Sequence, residues 1–227
     1  MKDSNMYEHI EPELVGNKQR VLVSDLSGKS NINFKANELN IKFKDSKEIT
    51  GKLVSKVKEL EFEGYQFEAA DASLELILRG LSGEYSPFFK VLDSKVHISY
   101  DENNNENADA TLKVLVNSDI EHTASDGDGP VDALNNALRK ALSRFFPELK
   151  DVRLTDYKVR VLNEQEGTGA KVRVLIESTY EDESWSTIGV SKNIIEASRQ
   201  ALTDSFNYRL AKLSKWGKIK TEELILS

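Results

Sequence analysis

The amino-acid sequence predicts an α+β fold in which a βββα unit occurs twice. This pseudo-twofold βββα-βββα domain has antiparallel sheets carrying helices on one face, and a small α-helical subdomain precedes it. Three observations predict it. Ala110-Thr-Leu-Lys-Val-Leu-Val-Asn-Ser118 is echoed sixty residues later by Ala170-Lys-Val-Arg-Val-Leu-Ile-Glu-Ser178. Ala137-Leu-Arg-Lys-Ala-Leu142 and Ala197-Ser-Arg-Gln-Ala-Leu202 lie at the same spacing, as do Gly129 and Gly189. A constant offset without a gap marks two copies of one supersecondary unit. Upstream, from Asp45, the apolar spacing is helical.

Residues 1–44 read as an irregular connecting segment in which Glu11–Gly16 is turn-like and 27–30 is either a loop or a helix start. Residues 45–87 form the helical subdomain. Asp45 or Ser46 caps a helix with Ile49, Leu53, Val57 and Leu60 on one face, ended by Gly64. A second helix carries Ala70, Leu74, Ile77 and Leu78 as far as Gly80, and a linker runs from there to Pro87. Residues 88–213 form the repeat domain, with copies at 88–148 and 151–213, and 214–227 is a tail. In copy one, strands 91–100 and 112–116 flank the polar turn 101–109, and 122–126 completes the sheet. Gly129-Pro130 opens a helix, with proline in the first turn where its missing N–H costs nothing. Its apolar face is Val131, Leu134, Leu138, Ala141, Leu142 and Phe145. Copy two repeats the pattern with strands 152–162, 170–178 and 185–189. Its helix starts at Ser191 and carries Ile194, Ile195, Ala201, Leu202, Phe206 and Leu210.

Composition narrows the function. The net charge of −7 offers no basic stripe for a phosphate backbone, so a nucleic-acid partner is not expected. No run nears the ~18 apolar residues a membrane span needs, and no apolar run follows Lys2, so neither a membrane partner nor a signal peptide is expected. Without cysteine there is no disulfide frame, and the expectation is a cytoplasmic protein. The histidines at 9, 97 and 122 share no ligand spacing, so no metal site is expected. Asp126-Gly-Asp-Gly129 fails as a calcium loop because Pro130 and Ala137 stand at ligand positions. Gly28-Lys29-Ser30 fails as a phosphate loop because Val23 occupies the place of the first glycine. No catalytic residue is assigned.

A binding constellation remains. Gly127-Asp-Gly-Pro130 at a helix start exposes backbone N–H groups and the positive end of a helix dipole, a seat for a carboxylate. Asp132 or nearby backbone carbonyls are the acceptors for an ammonium, and Gly189–Asn193 stands at the matching place in copy two. The alternative reading of the same residues is a good turn and cap.

Glu63-Gly-Tyr-Gln-Phe-Glu-Ala-Ala-Asp-Ala-Ser73 resembles the linker subdomain of (R)-citramalate synthases. Gly127-Asp-Gly-Pro-Val-Asp-Ala133, Asp156-Tyr-Lys-Val-Arg160 and Gly189-Val-Ser-Lys-Asn-Ile-Ile-Glu-Ala-Ser198 resemble the C-terminal allosteric domain those enzymes share with 2-isopropylmalate synthases. Tyr7–Gly16 and Ser27-Gly-Lys29 resemble the connection that leaves their catalytic barrel; where many relatives carry histidine this chain has Leu26, so no catalytic help is carried over there.

The resemblance implies a regulatory part, an excised fragment or a separate polypeptide, that binds an end-product amino acid at a homodimer interface. Isoleucine is the effector implied for a citramalate synthase and leucine for a 2-isopropylmalate synthase. The divalent metal and acetyl-CoA of such enzymes belong to a catalytic barrel, in cis or in trans, so no cofactor is expected in this chain and it is expected to be inactive alone. By motif, the family's effector contacts fall on Gly129, Val131 and Asp132, on Leu154, Tyr157 and Val161, and on Ala170 with Thr168 beside it. Spacings of three and then four do not fit one face of a flat strand, so Leu154, Tyr157 and Val161 require a bulge or a strand end. For the apolar members ordinary core is the competing reading, as is a purely structural dimerisation module for the whole chain.

Overall fold

In the computed structural model, which describes residues 28–41 and 46–214, five helices and two sheets follow the expected order. The expectations for 1–27, the Asp45 cap and the tail beyond Ser214 lie outside the described residues. Within the segment expected to be irregular, Gly28–Glu38 is a helix (α1), so of the two readings offered there 28–30 is a helix start. α1 has few apolar residues, and it is anchored by Ile32 and Ala36 against Leu53 and Val57 of α2 (Ser46–Glu63) and Leu74 and Leu78 of α3 (Asp71–Ser82). Gly64 ends α2 at φ 114°, with its N–H on the Glu61 carbonyl and that of Tyr65 on Leu60, which satisfies carbonyls the helix leaves open. α3 runs past Gly80 and ends the same way at Gly83, φ 79°.

Two three-stranded antiparallel sheets follow, each in sequence order. β1 (Phe89–Tyr100), β2 (Glu106–Val116) and β3 (Asp119–Gly127) lead into α4 (Pro130–Leu142). β4 (Arg153–Val161), β5 (Val172–Tyr180) and β6 (Glu183–Ser191) lead into α5 (Ile194–Leu213). β2 begins at Glu106, inside the stretch read as turn. The first hairpin turns on Asp101, whose Oδ1 accepts the N–H groups of Asn103 and Asn105.

The repeat is real, but its spacing is 64 rather than 60. β3 and β6 begin at Asp119 and Glu183, the helix caps are Gly129 and Asn193, and the left-handed turn residues are Asn117 and Glu181. The Thr123 hydroxyl donates to the Ala137 carbonyl at 2.9 Å, and Thr187 donates to Ala201 at 2.8 Å. The pairings of Ala110 with Ala170, Ala137 with Ala197 and Gly129 with Gly189 are therefore slipped by four. Four residues are two strand periods and close to one helical turn, so that slip keeps every apolar residue in phase. Gly189 lies inside β6, and the structural counterpart of Gly129 is Asn193.

Each sheet lays its alternating apolar face on its own helix. Leu112 and Val114 meet Leu134, Leu138 and Leu142, while Val174 and Ile176 meet Ala201, Leu202 and Phe206, all in one continuous core. Ile194, read as part of α5's apolar face, is instead 41% exposed. The two halves differ in what covers the outer face. Ile188 of β6 joins the core of the helical subdomain, whereas Ile120 of β3 is 62% exposed. No helix among the described residues is long and apolar enough to cross a membrane.

Candidate functional site

The start of α4 is built to stay open. Gly129 is extended (φ −171°) and offers no side chain to the first-turn N–H groups, and Pro130 follows at the first helical position. α5 differs, because its cap Asn193 fills the same role itself, Oδ1 accepting the Ile195 N–H at 2.9 Å. Gly127 lets β3 approach α4, since a Cβ there would overlap the backbone nitrogen of Ala133. Asp132 is exposed, and its Oδ2 accepts the Asp128 N–H and the Asn136 amide, both at 3.1 Å. Its carboxylate thus stands at the rim of the open helix start, with acceptor sites to spare.

The second group lies on β4. The β4–β5 register shifts between Leu154 and Asp156, leaving Thr155 as the extra residue, so of the bulge or strand end that the spacing requires it is a bulge that is present. β1 carries the same irregularity between Val91 and Asp93. Leu154 before the bulge and Tyr157, Val159 and Val161 beyond it lie opposite Ser178, Ile176, Val174 and Val172, on the face that meets α5. Leu154 and Tyr157 are half-buried; Val159 and Val161 are 41% and 47% exposed. The Ser198 hydroxyl donates to the Ile194 carbonyl at 2.7 Å, so the 2.9 Å bond between Tyr157 and Ser198 carries the tyrosine proton. The phenol oxygen keeps lone pairs for a further donor. Ala170 is buried at the foot of β5, and Thr168 is exposed in the short 3-10 segment Glu164–Gly169 before it.

The eight residues therefore form two groups. Gly129, Val131 and Asp132 surround the start of α4, while Leu154, Tyr157, Val161, Thr168 and Ala170 belong to the other repeat. No hydrogen bond or ion pair joins the groups among the described residues. Two neighbours escaped the sequence reading. Val159 shares the face by simple alternation once the bulge is placed, and Ser198 has no sequence signal beyond its helical phase opposite Tyr157.

A βββα unit that occurs twice, with one open helix start and an apolar strand face on the other repeat, defines a duplicated α+β module. The chain belongs to the LeuA allosteric (dimerisation) domain family, whose model matches residues 68–210. It is similar to the (R)-citramalate synthase of Geobacter sulfurreducens, 52% identical over 210 residues that make up 91% of this chain and 39% of that protein. The (R)-citramalate synthase of Aquifex aeolicus is 50% identical, over 93% of this chain and 40% of its own length. The 2-isopropylmalate synthase of Methanocaldococcus jannaschii is 28% identical, over 92% of this chain and 39% of its own length. The chain thus spans about two-fifths of the curated relatives it matches.

Proposed function

We propose that this chain is the regulatory part of a citramalate synthase. It senses isoleucine where two copies meet, and it restrains the condensation of acetyl-CoA with pyruvate on a catalytic barrel in cis or in trans. The observation that carries the reading is the unequal pair of helix starts. α5 caps itself with Asn193, while α4 leaves its first-turn N–H groups open beside the Asp132 carboxylate. An amino acid fits that asymmetry, its carboxylate on the helix start and its ammonium on Asp132. The branched side chain then needs an apolar wall, and Leu154, Tyr157 and Val161 supply one on the other repeat. Because those groups are separate within one chain, a second copy that brings its β4 to the first copy's α4 completes the site.

Isoleucine is favoured over leucine by the 52% and 50% identities to citramalate synthases, against 28% to a 2-isopropylmalate synthase. Binding inhibits if the effector prefers one domain arrangement over the other. The test is calorimetric titration of the chain with isoleucine, leucine and valine. Saturable isoleucine binding, lost on Tyr157→Ala in a still-folded dimer, supports the sensor. Stronger binding of leucine moves the assignment to a 2-isopropylmalate synthase. No heat and no thermal shift with any of them leaves a structural dimerisation module.

A further inference from the structure

A cavity of about 770 Å3 lies where α3, the connection into β1, β2 and α5 converge, away from both groups described above. Ile77, Phe88 and Leu115 give it apolar walls. The α5 side is different, presenting Arg199, Thr203 and Asp204 to the same space. Ser73 donates to Asp204 Oδ2 at 2.7 Å, the one hydrogen bond to that carboxyl among the described residues. Next to it, Thr203 Oγ1 is buried without a hydrogen-bond partner among the described residues. Thr203 Oγ1 is sealed from the cavity itself, whereas the half-buried Asp204 carboxyl lines it with no ion pair among the described residues, which leaves an oxygen for another participant. Arg199 does not supply it, because its guanidinium is bound to both Glu196 oxygens at 2.7 and 2.6 Å. Burial pushes Asp204 up to about 7 against the Ser73 bond, as for a carboxyl that lacks a counter-charge.

We infer that this cavity is a second ligand site, taking a small molecule whose ammonium group meets Asp204 and whose short apolar body lies between Ile77, Phe88 and Leu115. An ammonium has three donors, enough for both oxygens of the carboxylate. The volume is that of ordinary small-molecule sites. An occupant touches α3, α5 and β2 at once and so ties the helical subdomain to both repeats. A simple aliphatic amine and an aliphatic amino acid share this chemistry.

Calorimetry of the full chain at about pH 8, where a carboxyl of raised pKa is ionised, separates them. The probes are 2-methylbutylamine and isoleucine, each against the parent, Asp204→Asn, Ile77→Trp and Tyr157→Ala. Asparagine keeps an acceptor for Ser73, and Ile77→Trp fills the cavity without touching the polar wall; melting curves verify that both fold. The amine is expected to bind the parent and Tyr157→Ala alike, on the order of tenfold more weakly to Asp204→Asn, and not to Ile77→Trp. An isoleucine component that survives Tyr157→Ala and disappears in Asp204→Asn assigns the site to amino acids; its absence, with amine binding intact, assigns it to amines. No saturable binding of the amine or of that isoleucine component, or binding unchanged by both Asp204→Asn and Ile77→Trp, overturns the inference. Loss of the effector reading through Tyr157 leaves the amine arm unaffected, so the two failures are distinguishable.

Discussion

Tyr157 joins β4 to α5 through a single proton, donated to a serine that is itself bonded to the helix backbone. Tyr157→Phe removes that bond without stranding a buried donor, because Ser198 still reaches Ile194. The expected loss is about 0.5–1.5 kcal/mol of stability by denaturant unfolding, with isoleucine binding weakened but retained; Tyr157→Ala is expected to abolish it. Asp204 makes a second prediction at this scale. Its folded pKa of about 7 lies above the ordinary 3.8, so between those values the folded state holds a proton the unfolded chain has released. Stability therefore falls as pH rises through that window and levels off above about 7. The groups around Asp204 do not reverse this sign, since Ser73 is neutral, Tyr65 and Tyr85 are themselves pushed upward in part by Asp204, and Arg199 is paired with Glu196. Asp204→Asn should flatten the pH profile of the melting temperature. Identical profiles would contradict the assignment.

Each helix is seated against its sheet by a glycine where strand and helix backbones nearly touch. A Cβ on Gly127 would overlap the Ala133 nitrogen, and one on Gly189 would overlap the Ala197 carbonyl. Alanine at either position is expected to cost about 1–3 kcal/mol through overpacking. Gly129→Ala is the contrast. Its Cβ meets open space and its φ is extended, so stability should barely change while effector binding weakens if ligand lies on the helix start. Thermal melts and titrations of the three variants separate these roles. The elements themselves were largely legible, because alternating strands and the apolar stripes of α2, α4 and α5 state their period openly. α1 was not, since Ile32 and Ala36 carry its burial while Phe34 points outward at 44% exposure. The four-residue slip in the repeat shows how a period-two and a period-3.6 pattern both tolerate one wrong register. A departure from a flat strand was legible, as a bulge or a strand end, because the spacing of Leu154, Tyr157 and Val161 conflicts with simple alternation.

At the scale of the molecule, the pseudo-twofold symmetry is broken in three places. One helix start is open and the other capped; one hairpin turns on Asp101 while its counterpart carries Thr168 and Ala170; and the outer face of one sheet meets the helical subdomain at Ile188, while among the described residues that of the other is exposed at Ile120. The helical subdomain docks on the second repeat through identifiable bonds. Arg173 donates to the Gly64 carbonyl at 2.6 Å and to Gln66 at 2.7 Å, and Ser73 accepts the Ile188 N–H while holding Asp204. A change at β4 therefore has a mechanical route to the helices that precede the repeats. The split of the candidate site was not legible, because motif spacing names residues without naming the copy that supplies them.

A mixing experiment tests the shared site most directly. Asp132→Ala disables the α4 group and Tyr157→Ala the β4 group, and neither variant alone should bind isoleucine. If the site forms between copies, co-refolding the two produces mixed dimers with one intact site, and saturable binding reappears in the mixture. A mixture as inert as its components, or a single variant that binds like the parent, would contradict the shared site.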